Sequence, residues 1–295
     1  MIAQAATSQT LIRDYIALTK PRIILMLIFT AMGGMFLAAK GTPQASILLT
    51  VLLAGALASG GANALNQWLD RDIDGDMVRT RQRPMVVGRI PPTHAIVFGI
   101  GLNVIAFVLL AALVNPLSAV LTVGATLFYI FVYTKGLKRT SSQNIVIGGA
   151  AGAIPPVVGW VAVTGSIGLP AIYLFAIIFF WTPPHFWALA LLLKDDYARA
   201  KIPMLPVVVG VRETKKSILL YTVLMLALTI MFFTTGAVGL VYLGASTILG
   251  IIFIYYAWRL WHRPLIEGAK PLYLYSLLYL ALLFLAIVVD GFVRI

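Results

Sequence analysis

No cysteine occurs in these 295 residues, so disulfides, thiolate metal sites and cysteine nucleophiles are excluded. Charge is scarce: 11% of residues are charged, with 10 acids against 22 lysines and arginines. A water-soluble domain carries about a quarter charged residues, so the chain is not of that class. Only three histidines are present, His94, His185 and His262, and no Ser/His/Asp arrangement for nucleophilic catalysis accompanies them. The chain start also lacks a secretory signal pattern, because Lys20-Pro21-Arg22 directly precedes an apolar run with no small-residue cleavage site.

Hydrocarbon fills the chain instead. Hydrophobic residues make up 61% and the mean hydropathy is +0.97. Nine apolar runs are long enough to cross a bilayer core of about 30 Å as helices. They lie at roughly 23–39, 46–68, 94–114, 116–133, 143–164, 169–193, 217–235, 238–258 and 272–293. The expected fold is an all-α integral membrane protein, with a cytoplasmic N-terminal segment over 1–22 and one transmembrane domain over 23–293.

Threading nine spans puts 20 of the 22 Lys and Arg on one side, leaving Lys40 and Arg294 on the other. That bias sets the N-terminus inside and the C-terminus outside. It also accounts for most of the net charge of +12 without invoking nucleic acid. It does not account for the acids, nine of ten of which share the basic side, since acids contribute little to orientation. The long mixed-charge loops follow spans two and six and echo each other, "RPMVVGR" at 83–89 against "IPMLPVVVGVR" at 202–212. This reads as a parallel repeat of helices 1–4 (about 23–133) and 5–8 (about 143–258) with a ninth helix (about 272–293), and a shared site where the equivalent loops face. Gly55-xxx-Ser59 and Gly148-xxx-Gly152 suggest close helix packing.

The stretch "NALNQWLDRDIDGDMVRTRQRP", 63–84, concentrates the charge. Asp70-x-Asp72-x-Asp74-Gly75 opens like a calcium loop, but the twelfth position, which should be a glutamate, is Arg81. Helical spacing reads it better than a solvated helix end does. Asn66, Asp70 and Asp74 step by four along one face, while Asp72 and Asp76 point elsewhere. An amide and two carboxylates at the polar end of a membrane helix suit Mg²⁺, which completes its shell with waters and phosphates. Arg79, Arg81 and Arg83 then make sense around a diphosphate, because the guanidinium fork matches phosphate oxygens.

The loop after span six carries "LLLKDDYARAKIPMLP", with Asp195, Asp196, Tyr197, Arg199 and Lys201. Loop 4–5 has Lys135, Lys138 and Arg139 without an acid, an ordinary inner loop by itself. His94 and His262 sit at loop edges. His185, behind Pro183-Pro184, lies about 16 Å along a helix from Asp196 and so near mid-membrane. Two readings of it stand level: a haem axial ligand, or a neutral imidazole bonded to a carbonyl that the prolines free.

N-x-x-x-D-x-x-x-D followed by R-T-x-x-R-P resembles the first motif of the UbiA superfamily of intramembrane prenyltransferases. "LTKPRI" at 18–23, "LKRTSSQNIVIGGAAGAIPPVVGW" at 137–160 and "PHFWALALLLKDDYARAKIPMLP" at 184–206 resemble its haem-farnesylating branch, so the likeness covers nearly the whole chain. The superfamily's second motif, D-x-x-x-D, is departed from: four residues after Asp195 and Asp196 stand Arg199 and Ala200.

The resemblance implies a UbiA-like bundle, multi-pass in the bacterial inner (plasma) membrane, that transfers farnesyl from farnesyl diphosphate to a vinyl group of haem b. Asn66, Asp70 and Asp74 would hold Mg²⁺, with Asp196, beside Asp195, serving a second metal. Arg71, Arg79, Arg81, Arg83, Lys135, Lys138, Arg139 and Lys201 would hold the diphosphate. His185 would meet haem, and Tyr197 stands beside the acids. A downstream haem-modifying enzyme is a further partner that the resemblance raises. Three rivals remain: an aromatic prenyltransferase of quinone or chlorophyll biosynthesis; a CDP-alcohol phosphotransferase, whose longer D-G-x-x-A-R pattern is missing; and a transporter, which usually binds at the bilayer midplane.

Overall fold

The computed structural model describes residues 8–293; Arg294, assigned above to the outer side, and residues 1–7 of the N-terminal segment lie outside that range. Among the described residues the chain is helical, with no strand, and nine helices are long and apolar enough to span a membrane. These spans are α2 Pro21–Ala39, α3 Ala45–Asp74, α4 Pro92–Leu113, α5 Pro116–Thr140, α6 Asn144–Thr164, α7 Leu169–Leu192, α10 Gly210–Phe233, α11 Leu240–His262 and α12 Ala269–Val293. Three shorter helices stand at the charged end: α1 Ser8–Thr19, α8 Lys194–Arg199 and α9 Leu205–Val208.

The number of spans agrees with the hydropathy reading, but the charged ends do not. The second span runs six residues past the expected 68, to Asp74, and α10 begins at Gly210 rather than 217. Hydropathy counts side chains, whereas a helix continues for as long as its backbone bonds are made. At 1.5 Å per residue, the 30 residues of α3 reach about 45 Å, beyond a bilayer core of about 30 Å. The acidic face therefore stands on rigid helix above the apolar slab.

From Ser8 to Thr19 the N-terminal segment is a helix. Its buried face carries Asp14 and Leu18, while Leu11, Ile12 and Ile16 are exposed. Arg89 grips Asp14 with two bonds of 2.7 and 3.0 Å. The carbonyls at its end, which a helix leaves unpaired, are met from α3: Asn63 donates to Thr19 O and Gln67 to Leu18 O, both at 2.9 Å.

Packing sets α3 against α4, α2 against α6, α7 against α10 and α12, and α11 between α10 and α12. The closest approach differs from the expected glycine pairs. Gly55 meets Ile28 of α2 at ordinary contact distance and Gly152 faces open space, whereas a Cβ at Gly148 would collide with the Tyr133 ring of α5. At Gly34 and Gly159 a Cβ would collide with the backbone of Pro156 and of Ala31, so α2 and α6 meet main chain to main chain. The two long inner loops do meet. Met77 from the first packs in one buried cluster with Tyr197, Ala200, Ile202 and Met204 from the second.

Candidate diphosphate and metal site

The helical face Asn66, Asp70, Asp74 is buried, all three being 4% exposed or less. Asp72 and Asp76, off that face, are exposed, as the four-residue step requires. Each buried oxygen set is held by a different cation. Lys20 Nζ donates to Asn66 Oδ1 at 2.8 Å, Lys138 Nζ to Asp70 Oδ2 at 2.5 Å and Arg83 to Asp74 Oδ2 at 2.5 Å. Asn66 also donates to Asp70 Oδ2 at 2.8 Å, tying the face together. Arg139 turns outward, to a two-pronged bond with Asp72 at 2.7 and 2.8 Å.

Lys138 reaches the face because α5 changes winding. Phe128–Leu137 is a π-helix, in which each turn takes an extra residue and re-aims the side chains beyond it. Thr134 Oγ1 donates to Tyr129 O at 2.8 Å and accepts from Asn66 Nδ2 at 3.2 Å, locking the bulge to α3. No sequence feature announced this bulge.

Two clefts flank the face. The larger, about 580 Å³, is lined by Arg13, Lys20, Gln67, Arg79 and Arg83, with α1 as one wall. The smaller, about 330 Å³, lies between Arg71, Asp72, Thr134, Lys135 and Arg139. The eight basic residues expected around a diphosphate thus do not converge. Arg79 and Arg83 share the larger cleft; Arg71, Lys135 and Arg139 line the smaller one. Arg81 and Lys201 are exposed and line neither. Alternate positions of an irregular segment need not face one way, so Arg81 turns to solvent while Arg83 turns in. Sequence reasoning missed Lys20 and Gln67. Lys20 stood in the quoted "LTKPRI", and its place before Pro21 marked a helix boundary, but no role.

Burial lowers the Lys20 ammonium from its ordinary value to about 7, and the positive charges of Arg83 and Lys138 add to the effect. An anion in the cleft would reverse that cause. Asp196 is tied to Arg199 on its own short helix, and Asp195 is exposed. Among the described residues neither makes an ion pair with the basic residues of the first cluster. Tyr197 is the link between the loops: burial raises its hydroxyl, Asp196 adds to this, and Arg79 and Arg83 oppose it.

Among the described residues, no group of three or more histidine, aspartate or glutamate side chains is placed to hold a metal. The donor set of α3, one amide and two carboxylates, nevertheless suits Mg²⁺, which takes one or two protein carboxylates. One observation supports the fit. Asp70 Oδ1 is buried with no hydrogen-bond partner among the described residues, the nearest cation, Arg139, standing 4.0 Å away, a costly state for a carboxylate oxygen.

His185, deep in α7, bonds to a side chain of another helix rather than to a freed carbonyl. Its Nδ1 lies 2.7 Å from Ser276 Oγ of α12, and Ser276 Oγ donates to Tyr273 O at 2.6 Å. The one serine proton being spent, His185 Nδ1 must donate, which leaves Nε2 with its lone pair. The ring is stacked between Trp181 and Tyr273, with centroids 4.3 and 4.9 Å away. Of the two readings that stood level, the bond to a proline-freed carbonyl is not the one made, because α12 brings Ser276 to Nδ1.

Comparison with known proteins gives the family and agrees with the fold. Residues 26–283 match the UbiA prenyltransferase family. The chain is 51% identical over 281 residues to a protein of Roseiflexus sp. (strain RS-1) named protoheme IX farnesyltransferase, covering 95% of this chain and 53% of that protein. A protein of the same name from Symbiobacterium thermophilum is 46% identical over 295 residues, covering 98% of this chain and 99% of it. The chain thus spans about half the length of the Roseiflexus relative and nearly all of the Symbiobacterium one. In fold it resembles a digeranylgeranylglyceryl phosphate synthase, at TM-score 0.79 and 20% identity, over 95% of this chain and 98% of that one. It also resembles a UbiA homolog from Archaeoglobus fulgidus solved with GPP and Mg²⁺, at TM-score 0.71 and 18% identity, over 93% and 99%.

Proposed function

The chain belongs to the UbiA prenyltransferase family, and from that premise we propose that it transfers the farnesyl group of farnesyl diphosphate to a vinyl group of haem b, giving haem O. The observation that carries the transferase reading is the buried face of Asn66, Asp70 and Asp74 under Lys20, Lys138 and Arg83. The haem acceptor is supported by the names of relatives 46–51% identical.

In this reading Asn66, Asp70 and Asp74 hold Mg²⁺, which when bound offsets the negative charge of the departing diphosphate. Arg79 and Arg83, in the larger cleft, orient the phosphates and stabilise the charge that builds as the C–O bond of the farnesyl donor breaks. The bonding pair leaves with the diphosphate. The vinyl π electrons form the new C–C bond, and water adds to the resulting cation and loses a proton, completing the hydroxyethyl group. Apolar helices around the farnesyl tail exclude water until that step. His185 meets the haem through Nε2, with Ser276 holding its tautomer. In this reading the protein lies in the bacterial plasma membrane with its charged end inside, so that polyanionic donor and basic cleft share one compartment.

The deciding assay combines haem b, farnesyl diphosphate and Mg²⁺ with purified protein and identifies the product by mass. A farnesyl-hydroxyethyl haem is expected. Farnesylation of a quinone-precursor ring and none of haem would overturn the acceptor while leaving the diphosphate site in place.

A further inference from the structure

Lys20 is placed by the fold as firmly as the acids it faces. It is the single residue between α1 and α2, in the left-handed conformation with φ 55° and ψ 63°, which L-residues seldom adopt. The residue before a proline is normally extended, so this turn is held against preference. What holds it is α3: Asn63 and Gln67 donate to the carbonyls of Thr19, Leu18 and Ala17 just before it. From this turn the ammonium is directed onto Asn66 Oδ1 at 2.8 Å, at the edge of the larger cleft.

The charges around it do not balance. Lys20, Arg83 and Lys138 face two carboxylates, Asp70 and Asp74. Arg79 lines the same cleft and makes no ion pair among the described residues. A divalent cation arriving alone at the α3 face would meet an ammonium or guanidinium on each of its three side chains, a like-charge encounter in a partly desolvated site. A diphosphate arriving with it gives those cations a better partner.

We propose that Lys20 is a diphosphate-binding residue that makes metal entry conditional on the anion, holding the Asn66 amide oxygen in the empty state and turning to the phosphate oxygens when diphosphate arrives. The inference rests on the metal–diphosphate reading above and adds a residue and an order of events to it. Metal and anion then raise each other's affinity by the same factor, as linkage requires.

The test uses the full chain in detergent, dialysed to equilibrium against Mn²⁺ with or without inorganic diphosphate, and scores metal and anion retained with the protein. Wild type should retain Mn²⁺ about tenfold more tightly with diphosphate than without, and diphosphate should gain equally from Mn²⁺. Lys20→Met should bind Mn²⁺ alone better than wild type and lose most of the coupling; Lys20→Arg should keep it. If Lys20→Met is not recovered folded, Lys20→Gln, which keeps a donor to Asn66 without the charge, carries the same expectation. Equal Mn²⁺ retention with and without diphosphate, or a Lys20→Met protein that couples like wild type, overturns the inference and leaves the reading of the site intact. No Mn²⁺ retention even with diphosphate overturns that reading as well.

Discussion

Lys138 Nζ lies 2.5 Å from Asp70 Oδ2, joining the end of α5 to the face of α3 across 68 positions of chain. The Asp70 side chain is 1% exposed and that of Lys138 14%, so the contact is shielded on both sides. Breaking a buried pair by removing one partner strands the other charge, at a cost of about 3–5 kcal/mol, more than the pair itself contributes. In metal-free protein, Lys138→Met should therefore lower the unfolding midpoint clearly. Asp70→Asn combined with Lys138→Met should recover much of the loss, with a coupling of about 1–3 kcal/mol in the double-mutant cycle. Simple additivity of the two losses would show that the contact carries no coupling.

The metal reading distinguishes aspartates four apart from their neighbour. Asp70→Asn or Asp74→Asn should reduce turnover by about 100-fold or more, the scale of losing one charge-stabilising group. Asp72→Asn removes an exposed partner of Arg139 and should change turnover by no more than about threefold, since exposed ion pairs contribute little. Turnover should stop in EDTA and return with Mg²⁺. Comparable losses at all three aspartates would point to general charge rather than a built face.

Arg81 and Arg83 are two residues apart, and the structure separates them, Arg81 exposed and Arg83 bonded to Asp74. Arg83→Lys keeps the charge and loses the planar fork, so the apparent affinity for farnesyl diphosphate should weaken about tenfold. Arg81→Lys and Arg81→Ala should leave it unchanged. A loss at Arg81 equal to that at Arg83, measured as KM for the donor, would return both to a shared electrostatic role.

His185→Ala should shift the Soret band of haem-loaded protein and weaken haem binding, while Mg²⁺-dependent diphosphate binding stays near wild type. Ser276→Ala frees the tautomer without removing the ring, so its effect on haem should be smaller and in the same direction. An unchanged spectrum in His185→Ala would exclude ligation by this residue and mark the His185–Ser276 bond as a brace between α7 and α12.

The sequence by itself determined the number of spans, because a bilayer core demands about twenty apolar residues per helix and nothing else in the chain can supply them. It also determined which acids share a face, since a step of four on a helix is local geometry that Asn66, Asp70 and Asp74 obey wherever the helix is placed. Family membership was legible for the same reason: the motif residues are contiguous. What the tertiary structure decided is which cation meets which oxygen. Lys20 and Asn66 are 46 positions apart, Lys138 and Asp70 are 68, and such pairings depend on how helices pack and on a π-bulge in α5 that no residue pattern signals. The same holds for Arg81 and Arg83 in an irregular segment, and for the glycines: Gly34 meets Pro156 and Gly159 meets Ala31 because α2 crosses α6, not because of their spacing. His185 shows the difference most plainly. Its depth followed from counting along a helix, but its partner, Ser276, comes from another helix 91 positions away, and only packing could bring it there.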